Sequence, residues 1–142
     1  MRWQDFDNPE EEKARLEKKI KENPNDGSAH YELGTVYEYM QDWVKAKELC
    51  DKAISLDPKN ITYYAFSAFV NSYIEESEDA IDDLVTVIEL GGDESDYYVE
   101  LAIGVVFGMD TEYVFLTAID LRKVGKPAVA DKLEKWLINP SH

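Results

Sequence analysis

Residues 27–60 read GSAHYELGTVYEYMQDWVKAKELCDKAISLDPKN. From Ser28 the apolar side chains recur at helical spacing, with Tyr31, Leu33, Gly34, Val36 and Tyr37 on one stripe that closes near Met40. Asp42 can cap a second segment, in which Val44, Ala46, Leu49, Cys50, Ala53, Ile54 and Leu56 form a second stripe. Pro58 follows, where a helix ends without losing an amide donor. Two short helices joined by a tight turn pair antiparallel, and this stretch predicts one such pair.

The punctuation continues at a fixed interval on both sides. Pro24, Pro58 and Gly92 are evenly spaced, and one more step of the same length ends at Lys126 beside Pro127. Turn signals at constant spacing mean repeats. Further stripes fit this frame: Tyr64, Phe66, Ala68, Phe69 and Tyr73 after a cap at Asn60, and Ala80, Ile81, Leu84, Val87, Ile88 and Leu90 after a cap at Ser77. Ser95 is read as the start of a helix through Val99, Leu101, Ala102, Val105 and Val106, and Asp110 of one through Val114, Phe115, Ala118, Ile119 and Leu121. Asn8-Pro9 before three glutamates predicts an N-terminal helix to about Glu22, and Pro127 starts a last one carrying Val129, Leu133, Trp136 and Leu137.

The block 27–60 resembles a tetratricopeptide repeat, whose pattern is W-x₂-L-G-x₂-Y followed by A, F, A and P. It supplies His30 at the tryptophan place, then Leu33-Gly34, Tyr37, Ala46, Cys50 at the phenylalanine place, Ala53 and Pro58. Block 61–94 is degenerate: Tyr64, Ala68, Ala80, Leu84 and Leu90 keep register, but Ser67, Asn71 and Val87 replace Leu, Tyr and Ala. Block 95–126 is degenerate too, keeping Tyr98, Leu101-Ala102, Ala118 and Leu121. Residues 9–26 resemble the second half of a preceding repeat, and 127–138 the capping helix such arrays use to cover their last face. The resemblance implies an all-α fold, one domain over 1–142, arranged as a right-handed superhelix of about three helix-turn-helix repeats with an extra helix at each end.

Composition limits function. The chain has 142 residues with 15 Lys+Arg against 30 Asp+Glu, a net charge of −15, which predicts no nucleic-acid partner. One cysteine, Cys50, rules out an intramolecular disulfide framework and is expected as an inert core residue in a reducing compartment. The start of the chain lacks the apolar core of a secretory signal, and the longest apolar run, 101–109, is far too short for a bilayer; a cytoplasmic protein without a membrane partner is expected. His30 and His142 are the only histidines, so no catalytic, metal or cofactor site is expected.

Residues 61–121 hold 14 acids and neither Lys nor Arg, with six acids close together: Glu75, Glu76, Glu78, Asp79, Asp82 and Asp83. This acidic surface keeps the chain soluble or steers a basic partner. The basic residues gather afterwards as Arg122, Lys123, Lys126, Lys132 and Lys135, placed to fold back on the acidic middle. By resemblance, the first helix of each pair lines a concave groove, here Tyr31, Thr35, Tyr39, Ala65, Phe69, Tyr73, Val99, Ile103 and Phe107. None is Lys, Arg or Asn, the residues that relatives use to clamp acidic chaperone tails. The resemblance therefore implies a non-catalytic adaptor or chaperone-like module binding a hydrophobic or amphipathic, basic segment of another protein. The alternative expectation is a self-assembling protein whose groove is buried in a homodimer.

Overall fold

The computed structural model describes residues 7–138; the N-terminal stretch read for a signal, and His142, lie outside the described residues. Among the described residues there are eight helices and no strand: α1 Pro9–Glu22, α2 Gly27–Tyr39, α3 Trp43–Leu56, α4 Ile61–Tyr73, α5 Ser77–Glu89, α6 Tyr97–Val106, α7 Thr111–Lys123 and α8 Pro127–Leu137. The protein is all-α. It divides into two units, Met1–Tyr63 and Tyr64–His142, with the boundary inside α4.

In the first unit α2 packs most extensively against α3, and α1 lies along α2. Small residues are buried on both helices, Ala29 and Gly34 on α2 and Ala46 and Ala53 on α3. Leu16, Leu33, Val36, Tyr37 and Cys50 complete the core. Lys13 sits over the Tyr37 ring at 5.5 Å, Arg15 is 3.8 Å from Glu32, and Lys19 is 4.0 Å from Asp26. Numbers rising on α1 as they fall on α2 make that pair antiparallel. The Cys50 thiol donates to the Tyr63 carbonyl oxygen at 3.2 Å, tying α3 to the first turn of α4. Buried His30 donates from Nε2 to the Pro24 carbonyl at 2.9 Å, so the side chain at the tryptophan place pins the preceding loop.

Caps explain where the helices begin. Asn8, Asp26, Asp42 and Asn60 accept from the backbone amides of Glu11, Ala29, Lys45 and Tyr63. Two expected caps are displaced. Ser77 is the first residue inside α5, behind Glu76, and its hydroxyl bonds Asp110 instead. α6 starts two residues after Ser95, because Asp96 accepts from both the Tyr98 and Val99 amides while the Ser95 hydroxyl donates to the Asp93 carboxylate.

The repeat interval recurs in the backbone where the side-chain pattern has faded. Asn23 donates to Lys19 and, one interval on, Asp57 donates to Ala53. Gly92 donates to Val87 and, again one interval on, Lys126 donates to Leu121, each bond closing a turn whose preceding glycine is left-handed (Gly91 φ 94°, Gly125 φ 82°). Inside the first two pairs, Asp42 bonds Tyr37 and Glu76 bonds Asn71, with Gln41 and Glu75 both at φ 65°. The third pair departs from this scheme. Gly108 and Asp110 are both left-handed, and α6 and α7 meet at a 120° bend. α7 instead runs along α8, which also touches α5 and α6. No described helix is by itself long and apolar enough to cross a membrane.

The degenerate positions of the second block have their own chemistry. Ser67 donates to the Asp83 carboxylate at 2.6 Å, and Asn71 donates to the same oxygen at 2.8 Å. Both donors are buried, so a charge-assisted network joins α4 to α5 where the family pattern has leucine and tyrosine. Asp83→Ala should therefore lower stability by about 1–3 kcal/mol, read from the urea midpoint, because two buried donors lose their acceptor. A midpoint that does not move would contradict the network.

Candidate functional site

The nine groove positions divide sharply by exposure. Tyr31, Thr35, Ala65, Phe69 and Val99 are buried and offer a partner almost no surface. Their neighbours explain why. Tyr31 stacks on Tyr63 at 5.1 Å, and the Thr35 hydroxyl is turned to the Glu32 carbonyl of its own helix. Phe69 lies 5.3 Å from Tyr98. Tyr39 and Ile103 are half-buried, whereas Tyr73 is 49% exposed and Phe107 44%.

Within the second unit the aromatics form one connected cluster. Phe66 meets Tyr98 edge-on at 5.0 Å, Tyr98 meets Tyr97 at 5.3 Å, and Phe69 meets Tyr73 edge-on at 5.0 Å. Edge-to-face pairs of this kind hold ring orientation as well as burying area. Tyr73, at the last position of α4, is the member of this cluster with half its surface open. Two residues later the chain enters the acidic run.

Of the six acids, Glu75, Glu76, Glu78, Asp79 and Asp82 are exposed, and Asp83 is turned into the α4–α5 network. Sequence reasoning missed that inward acid. The available signal was a pair of polar residues, Ser67 and Asn71, four apart on an otherwise apolar face. Asp82 accepts from the Tyr113 hydroxyl at 2.6 Å, linking α5 to α7. That hydrogen bond, with desolvation and the nearby carboxylate charge adding to it, pushes the Tyr113 hydroxyl up to about 12. Among the described residues no three His, Cys, Asp or Glu side chains converge as a ligand set. The acids form an open negative face.

The basic residues that follow are largely engaged within the unit. Arg122 binds Asp131 at 2.7 Å and also Glu134, Lys126 binds Glu89, and Lys132 reaches the Gly92 carbonyl at 3.5 Å. The Trp136 indole donates to Glu94 at 3.2 Å. In the first unit an open cleft is lined by Ile20, Leu33, Tyr37 and Leu49, with Lys45, Lys52, Glu17 and Glu48 at its edges, a mixed-charge lining unlike the uniformly acidic face of the second unit.

Residues 27–60 match the family model of the tetratricopeptide repeat. Repeats of this family mediate protein–protein interaction and are typically non-catalytic. No curated protein matches the chain.

The Tyr113–Asp82 bond has a pH signature. The folded-state pKa lies above the ordinary tyrosine value of 10.0, so its contribution is complete below that value and is lost as pH rises toward about 12. Tyr113→Phe should remove up to one proton's worth of slope from the stability curve between about pH 10 and 12. Identical slopes for the two proteins in urea titrations would show that the bond is not formed in solution.

Proposed function

With residues 27–60 a tetratricopeptide repeat, we propose that the chain is a non-catalytic binding module for an amphipathic, basic segment of another protein, taken up at the Tyr73 end of the second unit. The observation that carries this reading is the juxtaposition of a half-open aromatic ring with exposed Glu75, Glu76, Glu78 and Asp79, inside the stretch 61–121 that contains neither Lys nor Arg. The ring supplies apolar contact area, backed by Phe69 and Tyr98 so that little side-chain entropy is lost on binding. The acids supply long-range attraction for Lys or Arg on the incoming segment and repel acidic competitors.

The contact surface is therefore smaller than the full set of groove positions. Tyr73 and Phe107 have the surface to meet a partner, Tyr39 and Ile103 have part of it, and the buried five hold the helices in place. Phe69 in particular is a supporting residue, so its replacement by a polar residue would unfold rather than report on binding.

The test uses two labelled helical peptides of identical Leu pattern, one with Lys and one with Glu on the polar face, followed by fluorescence anisotropy. The Lys peptide should bind and the Glu peptide should not. Tyr73→Ser should weaken the Lys peptide about 10-fold or more, as for an aromatic anchor. Raising salt should weaken it further. Equal affinity for both peptides, or full affinity in Tyr73→Ser, would refute the reading.

A further inference from the structure

The outer face of α7 carries exposed apolar side chains with opposite charges at its two ends. α7 packs on α8, with Val114, Ala118 and Leu121 buried. At about 3.6 residues per turn the opposite face presents Glu112, Phe115, Leu116, Ile119 and Lys123. Phe115 is 48% exposed, Leu116 53% and Ile119 46%. Three large apolar side chains side by side on one solvent face form a contiguous patch, unlike singly scattered ones.

The charges at the two ends of this patch are opposite, and this identifies the occupant. Glu112 lies one turn before the apolar residues and Lys123 one turn after them. Arg122 and Lys126 on either side of Lys123 are engaged with Asp131, Glu134 and Glu89, whereas Lys123 is exposed and forms no ion pair among the described residues. We propose that this face is a self-complementary contact for a second copy of the chain, with the two α7 helices antiparallel about a two-fold axis level with Thr117 and Ala118. The same axis that sets Leu116 against the second copy's Ile119 sets Glu112 against its Lys123. Each pair occurs twice, as a two-fold interface requires. The Phe115 rings flank the seam and cover the aliphatic stems of the charged ends. A parallel arrangement would instead bring Glu112 against Glu112 and Lys123 against Lys123, so charge selects the antiparallel register.

One helix-on-helix contact of this length falls short of the roughly 1,200 Å² at which stable interfaces begin, so the dimer is weak, with a dissociation constant on the order of 10–100 µM. The contact uses none of the residues assigned to the Tyr73 surface and does not depend on the function proposed for it.

Sedimentation equilibrium of the whole chain over roughly 5 to 500 µM tests the proposal across that range. The weight-average mass should rise from 16.3 kDa toward twice that value. Leu116→Glu should hold the protein at the monomer mass throughout, and Lys123→Glu should weaken association about 10-fold. The double exchange Glu112→Lys with Lys123→Glu should restore it, because the pairs are re-formed with their signs swapped. All three positions are exposed, and unchanged circular dichroism and Tm will confirm that each variant folds. A wild-type monomer at every concentration overturns the proposal. So does a dimer indifferent to Leu116→Glu, a double exchange that fails to rescue, or a dimer lost on Tyr73→Ser.

Discussion

The close approach of α2 to α3 is the contact on which the first unit depends. Gly34 on α2 and Ala46 on α3 are small and buried, and Leu33, Val36, Tyr37 and Cys50 are buried around them. The consequences extend along the chain. With α3 held there, Cys50 reaches the Tyr63 carbonyl, and with α2 held there, His30 reaches the carbonyl of Pro24. The residue at the repeat's aromatic place thus serves as a hydrogen-bonding anchor, and the paired-helix geometry accommodates it.

The second unit solves the same problem with different chemistry. Where the first pair is closed by apolar contact, α4 and α5 are joined through Ser67, Asn71 and the Asp83 carboxylate. α5 and α7 are joined through Tyr113 to Asp82 and Ser77 to Asp110. Carboxylates that a composition reading assigns to the solvent are therefore divided between two tasks. Asp83 and Asp82 hold helices together, while Glu75, Glu76, Glu78 and Asp79 remain on the surface and set its charge. Such bonds are stronger for being charge-assisted and costlier when broken, so this unit's stability is more sensitive to single polar substitutions.

The helices and their turns were legible in the sequence because they rest on local chemistry: apolar period, Asn and Asp caps, and proline or glycine returning at one constant interval. The pattern misleads at Ser95, where the neighbouring Asp96 takes the cap, and at Ser77, whose hydroxyl bonds Asp110 and leaves the start of α5 without a side-chain cap. The third block has both of its expected helices but a different turn between them. Gly108 and Asp110 both take left-handed backbone, the turn between α6 and α7 opens to 120°, and α7 finds α8. Nothing in the apolar period of either helix encodes that angle. The groove was the least legible part. A family register places Tyr31, Phe69 and Val99 on one side of their helices, but whether that side is open depends on what lies over it, which is a property of the folded chain.

The binding surface proposed for this chain is the aromatic and acidic end of the second unit. Backbone amide chemical-shift mapping by two-dimensional NMR, during titration with a Lys-rich amphipathic peptide, tests this most directly. Shifts concentrated on residues 70–79 and saturating together are the expected result. Shifts confined to the cleft of the first unit around Leu33, Lys45 and Lys52, or no localised shifts at all, would contradict it.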